Sequence, residues 1–286
     1  MLKKLTDRVY YMENKEYGDR PALGLVVGDK YSLVIDGGNS KDHAEEFLSE
    51  VKKLNITPLK YLVITHWHWD HIFGADYMGL INIVNGATKE NLDWLRNLKW
   101  TNSAIEERVK KGEEILFSLE NIKIEYPSDD RKIIIPRVDI VYDEFLKLDL
   151  GGVEVEIERI PSDHSKDNSI VLVQENDKSV AFVGDSLYLD MHNGDWSYLR
   201  DKFISLLIEL KCYEADYYVP SHHKIYDREN FYKYVDYMKR LSEIVLDKLS
   251  IEEAKKEFFK QTKREPNKKE IYDMNCFVCG NQKELQ

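Results

Sequence analysis

The chain has 286 residues, enough for one large domain or two small ones. Its 41 Lys and Arg against 52 Asp and Glu leave a formal charge of −11, which argues against a general nucleic-acid binder, since such a protein needs a basic footprint on phosphate. Hydrophobic residues at 43% can bury a sizeable core, which argues against global disorder, and no apolar run approaches the roughly 18–20 residues of a membrane span.

In chain order, residues 9–12, 22–27 and 32–35 read as strands, the last two joined by the hairpin signal Gly28-Asp29-Lys30. Residues 42–54 predict a helix, with Ala44, Phe47, Leu48 and Val51 at helical spacing and His43 expected on its surface. Residues 59–65 predict a buried strand that runs into a histidine-rich segment, and residues 80–84 another strand. Residues 88–98 and 103–119 predict two helices. They belong to a helical insertion over about 86–132, a candidate lid whose Trp94, Trp100 and Phe117 can line an apolar pocket.

Strand pattern then returns. Residues 146–150 and 153–158 alternate apolar and charged side chains about Gly151-Gly152, which predicts a two-stranded ribbon with one wet face. Residues 169–174 and 179–183 read as core strands, 196–210 as a helix, 217–220 as a strand and 229–249 as a long helix. Beyond about 250 the chain turns charged, with one short helical pattern, a Pro266-Asn267 break and a Cys276-x-x-Cys279 pair. The expected division is a main domain over 1–250 and a C-terminal appendage over 251–286. The CxxC spacing reads as half a metal site, a redox pair or a plain turn, and a second chain supplying the other half leaves a homodimer open. Three cysteines make no disulfide framework, and the polar start Met1-Leu2-Lys3-Lys4 shows no leader, so a cytoplasmic location is expected. Strands mixed with helices throughout indicate an α/β or α+β protein with central sheets and outer helices.

The chemistry concentrates in Thr65-His66-Trp67-His68-Trp69-Asp70-His71. In an extended segment His66 and His68 point to one side and can grip one metal ion. Asp70 and His71 follow where the chain turns and can serve a second, adjacent ion. Imidazole and carboxylate are ligands that zinc accepts. His164, Asp185 and His222 each follow a predicted strand, and together they place three more ligand types at three more strand ends. His223 is the alternative to His222, and His192 neighbours the site in sequence. Trp67 and Trp69 are expected to pack beneath the loop.

This pattern resembles the metallo-β-lactamase-fold hydrolases over roughly residues 5–245. The residues that carry the resemblance are His66-x-His68-x-Asp70-His71, His164, Gly184-Asp185, Pro220-Ser221-His222 and the opening Asp36-Gly37-Gly38. It implies a four-layer αββα sandwich of two mixed β-sheets flanked by helices. It implies two divalent ions, zinc first, with manganese and iron suited to the same ligands. His66, His68 and His164 would hold the first ion, Asp70, His71 and His222 the second, and Asp185 would bridge them.

The implied reaction is hydrolysis of a small ester, lactone or thioester by a hydroxide shared between the ions and oriented by Asp70. Asp185 stands where true β-lactamases of the fold have Cys or Ser, which ranks β-lactam hydrolysis low. Tyr188, three residues on, matches the tyrosine with which lactonases of the family hold a carbonyl oxygen. Two alternatives stand beside this reading. One is a phosphodiesterase or nuclease of the same fold, for which Lys255, Lys256, Lys260, Lys263 and Arg264 are the basic run. The other is a non-catalytic metal- or redox-sensing module. The expected partner is a small-molecule substrate, with neither nucleic acid nor membrane.

Overall fold

The computed structural model describes residues 1–285. The chain opens on β1 (Leu2–Lys4), β2 (Val9–Met12), β3 (Leu23–Val27) and β4 (Ser32–Ile35), all antiparallel. Helix α1 (Lys41–Val51) crosses over to β5 (Leu59–Val63), which pairs parallel with β4. Two single-turn helices, α2 (Trp69–Ile72) and α3 (Ala75–Met78), precede β6 (Ile81–Asn85). The insertion supplies α4 (Gly86–Leu95), α5 (Asn102–Lys111) and α6 (Leu116–Glu125), and β7 (Ile140–Tyr142) completes the first sheet.

The second half contributes β8 (Phe145–Asp149), β9 (Glu154–Arg159), β10 (Ser169–Glu175) and β11 (Lys178–Gly184) as an antiparallel meander. Helix α7 (Arg200–Cys212) returns to β12 (Tyr217–Pro220), parallel to β11, and β13 (Tyr226–Asp227) follows. The chain ends in α8 (Arg228–Val245), α9 (Ile251–Thr262) and α10 (Lys268–Glu284). Among the described residues the first sheet runs β1 to β7 in order and the second runs β13-β12-β11-β10-β9-β8.

Three apolar clusters define four layers. Between the sheets, Val26, Ile35 and Val63 meet Val155, Val171, Val180 and Phe182. The approach is close: a Cβ on Gly24 would stand 2.6 Å from the Phe182 ring. On the outer face of the first sheet, Leu25, Val34 and Leu62 pack with Phe47 of α1 and Leu92 of α4. On the outer face of the second, Ile170, Ala181 and Tyr218 pack with Leu206 of α7 and Phe231 of α8. Strands buried on both faces read as continuous apolar runs, which is why β3, β4, β10 and β11 lack alternation. The molecule is the four-layer αββα sandwich that the resemblance implied. No helix among the described residues is long and apolar enough to cross a membrane.

Several local expectations change. The helix expected over 103–119 breaks at Gly112, which caps α5 in the left-handed region, φ 75°, and lets the chain restart as α6. The helix expected from Trp196 starts at Arg200, because Asp190 and Ser197 bridge the segment before it. His43 is fully buried rather than on the surface, and its Nδ1 accepts from the Asn39 backbone at 3.4 Å.

The region expected as an appendage packs into the body. Ala254 and Phe258 of α9, with Met274, Cys276, Phe277 and Val278 of α10, join the cluster that holds α7 and α8. The charged outer faces of these helices mask their apolar stripes in the sequence. The Asn267–Glu270 capping box that starts α10 is the legible signal for a second helix there. Cys276 and Cys279 sit on α10, and burial pushes the Cys276 thiol up to about 12, so it is not poised for thiol chemistry.

Candidate metal centre

The expected site residues lie at one end of the sandwich, where strand ends of both sheets meet. The Ser169 amide of β10 donates 2.8 Å to the Thr65 carbonyl just past β5, joining the sheets there. His66 and His68 follow β5, while Asp70 and His71 sit on α2. His164 lies in the turn between β9 and β10, Asp185 follows β11 and His222 follows β12. A tight crossing keeps the junction of α2 and α3 against the β4 exit: a Cβ on Gly74 would stand 2.3 Å from the Gly37 carbonyl oxygen.

Two groups form. His66, His68 and His164 present ligand atoms within 4.8 Å of one another, and Asp70, His71, Asp185 and His222 do the same. Asp185 reaches both. Its Oδ2 lies 3.3 Å from His164 Nε2 and 3.8 Å from His66 Nε2 on one side, and 3.5 Å from His71 Nε2 and 3.6 Å from His222 Nε2 on the other. Its Oδ1 is buried without a hydrogen-bond partner.

Outer partners fix which nitrogens face inward. The Asp36 carboxylate accepts from the Thr65 amide at 2.8 Å, the Thr65 hydroxyl at 2.9 Å and His71 Nδ1 at 2.8 Å. With its proton given to Asp36, the Thr65 hydroxyl can only accept from His66 Nδ1, 3.1 Å away. His164 Nδ1 faces the Leu189 carbonyl at 3.2 Å and must donate to it. His222 Nδ1 faces Asp19 Oδ1 at 3.2 Å. In each case Nδ1 faces an outer acceptor and Nε2 turns inward, so an ion that displaces any Nε2 proton would meet the arrangement of a metal-ligating imidazole.

The electrostatics split the two groups. Burial, then the neighbouring imidazoles, holds His66 and His68 well below the ordinary histidine range. Burial also works against protonation of His71 and His222, but carboxylates outweigh it. Asp70, Asp36 and Asp185 hold His71 well above its ordinary value, and Asp185, Asp19 and Asp70 hold His222 up to about 9. Burial alone would raise Asp70 and Asp185, yet the facing imidazoles His71 and His222 keep both well below the carboxylate range. Two buried carboxylates that draw protons onto His71 and His222 show that positive charge is favoured between these inward-facing groups. Divalent metal ions fit that donor set.

The centre forms the floor of a cavity of about 700 Å³. Trp100, Ile115 and Phe117 of the insertion wall one side, while Trp94 stays outside the lining and stands edge-on to Trp67. Trp67 and Trp69 also border the cavity rather than only packing beneath the loop. Tyr226, Tyr234, Met238 and Tyr272 build the far wall. Lys269 is the one Lys or Arg on the lining, and Asp273 pairs with it at 2.7 Å. Tyr188 lies beside the candidate ligands and stacks on His223, ring centroids 4.5 Å apart. His192 tilts against His68 at 5.2 Å.

Three carboxylates have no positioning role in the sequence reading, and only Asp36 enters it, with the opening Asp36-Gly37-Gly38. Asp36 carried a signal, a carboxylate at a strand end before two glycines. Asp167 accepts from the Trp67 amide at 3.1 Å and the Thr88 hydroxyl at 2.7 Å, tying the metal loop to α4. Asp19 sits in a loop with no motif.

The sequence model of the metallo-beta-lactamase superfamily matches residues 20–222. The chain belongs to the metallo-beta-lactamase superfamily. No curated protein matches the chain. Among solved structures, a metallo-beta-lactamase from Pontibacter korlensis is 17% identical with a TM-score of 0.55, over 82% of this chain and 97% of that one. The stereoselective inverting sec-alkylsulfatase Pisa1 from Pseudomonas sp. is 13% identical with a TM-score of 0.66. That likeness covers 98% of this chain and 50% of the alkylsulfatase, so the chain spans about half of that protein. A metallo-beta-lactamase from Cronobacter sakazakii is 17% identical with a TM-score of 0.51, over 77% and 80% of the two chains. At these identities the likeness is one of fold. The superfamily match ends at His222, so the cavity's far wall, built from Tyr226 to Asp273, lies outside the matched span.

Proposed function

We propose that this superfamily member is a dinuclear, zinc-dependent hydrolase of a small neutral ester, lactone or thioester with an apolar body. The observation that carries the reading is Asp185 Oδ2 within 3.3–3.8 Å of imidazoles from both ligand groups, at the floor of an aromatic cavity. His66, His68 and His164 would hold one ion, Asp70, His71 and His222 the other, with Asp185 shared. Two divalent ions bound there supply Lewis-acid polarisation of a substrate oxygen and a water-derived nucleophile at neutral pH.

The chain's own residues do the rest. Burial, then the Asp185 carboxylate, keeps the Tyr188 phenol protonated far above neutrality, so it is a hydrogen-bond donor for a substrate carbonyl. Stacking on His223 holds that ring in place. Trp100, Phe117 and Tyr234 exclude water around an apolar substrate body.

The lining charge supports a carbonyl substrate over a phosphodiester or nucleic acid. Glu16, Asp19, Glu114 and Asp273 face the cavity against Lys269 alone. The basic run near residue 260 lies on α9 and just past its end, away from the lining. The raised, buried Cys276 thiol weighs against a redox sensor.

The test is metal analysis and turnover on a panel of chromogenic ester, lactone, thioester and alkyl sulfate. The expected result is two ions per chain, loss of turnover on chelation with recovery on adding zinc, and an inactive, folded Asp185→Ala variant. Full activity in Asp185→Ala, or a two-ion protein that cleaves no carbonyl ester, overturns the reading.

A further inference from the structure

Glu125 is the last residue of α6, and its carboxylate is 4% exposed. A carboxylate so far from water needs full pairing. Arg20 supplies two parallel bonds, Nε to Oε1 at 2.7 Å and Nη2 to Oε2 at 2.9 Å. The Ser40 hydroxyl adds a third, 2.7 Å to Oε2. Gly18 lies directly against the same group: a Cβ there would stand 2.3 Å from Oε1. The last turn of the insertion therefore clamps the loop between β2 and β3 and the loop between β4 and α1.

The first of these loops runs straight to a candidate ligand. Asp19, between Gly18 and Arg20, faces His222 Nδ1 across 3.2 Å. Asp19 holds a left-handed backbone, φ 54°, a conformation that a residue with a side chain keeps only when its surroundings impose it. What imposes it is visible. Lys15 and Arg20 exchange backbone bonds of 2.9 and 3.0 Å, and Asn39 Nδ2 donates 2.6 Å to the Gly18 carbonyl. Asn14 of the same loop donates 3.0 Å to the His222 carbonyl.

We infer that Glu125, acting through Arg20, positions Asp19 against His222 and so sets the affinity of the second metal position. The insertion that walls the cavity is thereby wired to metal occupancy. Asp19 keeps the His222 hydrogen on Nδ1 and its Nε2 lone pair toward the ion, the role an outer carboxylate plays for a ligating imidazole. Glu125 and Arg20 are positioning residues, and neither lines the cavity. The inference rests on the dinuclear reading above.

The test titrates zinc into metal-free wild type, E125Q, D19N and the double variant against a chromophoric chelator, with circular dichroism following the fold. Wild type takes two equivalents. E125Q weakens one of them by about 10–100-fold and leaves the other unchanged, and D19N weakens the same one. The double variant is no weaker than D19N alone, because both changes act through one contact. R20K, which keeps the charge and loses the fork, gives the same selective loss and serves if E125Q is unstable. Wild-type affinities in E125Q and R20K, equal loss of both equivalents, or additive losses in the double variant overturn the inference. A wild-type chain that binds fewer than two zinc ions overturns the dinuclear reading as well. Two ions in wild type with an unaltered E125Q overturn this inference alone.

Discussion

Asp36 Oδ2 lies 2.8 Å from His71 Nδ1, with both side chains sealed beneath the candidate metal centre. The carboxylate accepts three hydrogen bonds and faces no donor it lacks. Asp36 also holds a left-handed backbone, φ 62°, which Asn tolerates well. In Asp36→Asn the amide presents an N–H to the imidazole, and the His71 hydrogen moves to Nε2, where the lone pair is needed. The expected outcome is a folded protein whose affinity for one metal equivalent drops about 10–100-fold. Metal titration with a thermal melt checks it. An unchanged metal affinity removes Asp36 from the account.

On the proposed reading, the far wall of the cavity sets which substrates fit. Tyr234 stacks near Tyr226, centroids 5.4 Å apart, and borders the cavity away from the ligands. Burying an aromatic ring's worth of substrate contact is worth about 1.5–3 kcal/mol. Tyr234→Ala should therefore lower kcat/KM for a long-chain ester at least about tenfold while leaving an acetate ester unchanged. Steady-state kinetics on the ester series checks it. An equal fall for both esters assigns Tyr234 to folding instead.

These two residues mark what the sequence does and does not reveal. His66, His68, Asp70 and His71 are legible because ligand chemistry compresses them into six residues after an apolar strand. His164, Asp185 and His222 are legible only as a set, each being an ordinary strand-end residue when taken alone. The four layers are legible only through the family resemblance, since the residues by themselves indicate no more than central sheets with outer helices. Tyr234 and Tyr272 reach the cavity only because α8 packs back onto the second sheet and α10 packs onto α8. That packing is written in a helical stripe which a charged outer face obscures. Asp19 has no local signal at all, since its role exists only once Glu125 and Arg20 have fixed its loop.

His43 gives the fold an acid-sensitive point. Burial, then the nearby Arg20 charge, holds its imidazole down to about 3, against an ordinary 6.5. Below pH 6.5 the unfolded chain binds one more proton than the folded one at this position. The His43 contribution is thus fully present above about pH 6.5 and is lost as pH falls toward 3, at about 1.4 kcal/mol per pH unit. In His43→Gln, urea melts between pH 4 and 6 should show a stability slope shallower by one proton. A slope equal to wild type contradicts the buried neutral imidazole.

The measurement that bears most directly on the central claim compares kcat/KM of the zinc-loaded protein on a chromogenic apolar ester or lactone with a matched chromogenic phosphodiester. An acidic, aromatic cavity with one paired lysine predicts that the carbonyl substrate wins by at least about a hundredfold, ~2.7 kcal/mol of transition-state stabilisation. A phosphodiester that wins by as much contradicts the account, and would mean that the cavity is built to receive phosphoryl oxygen.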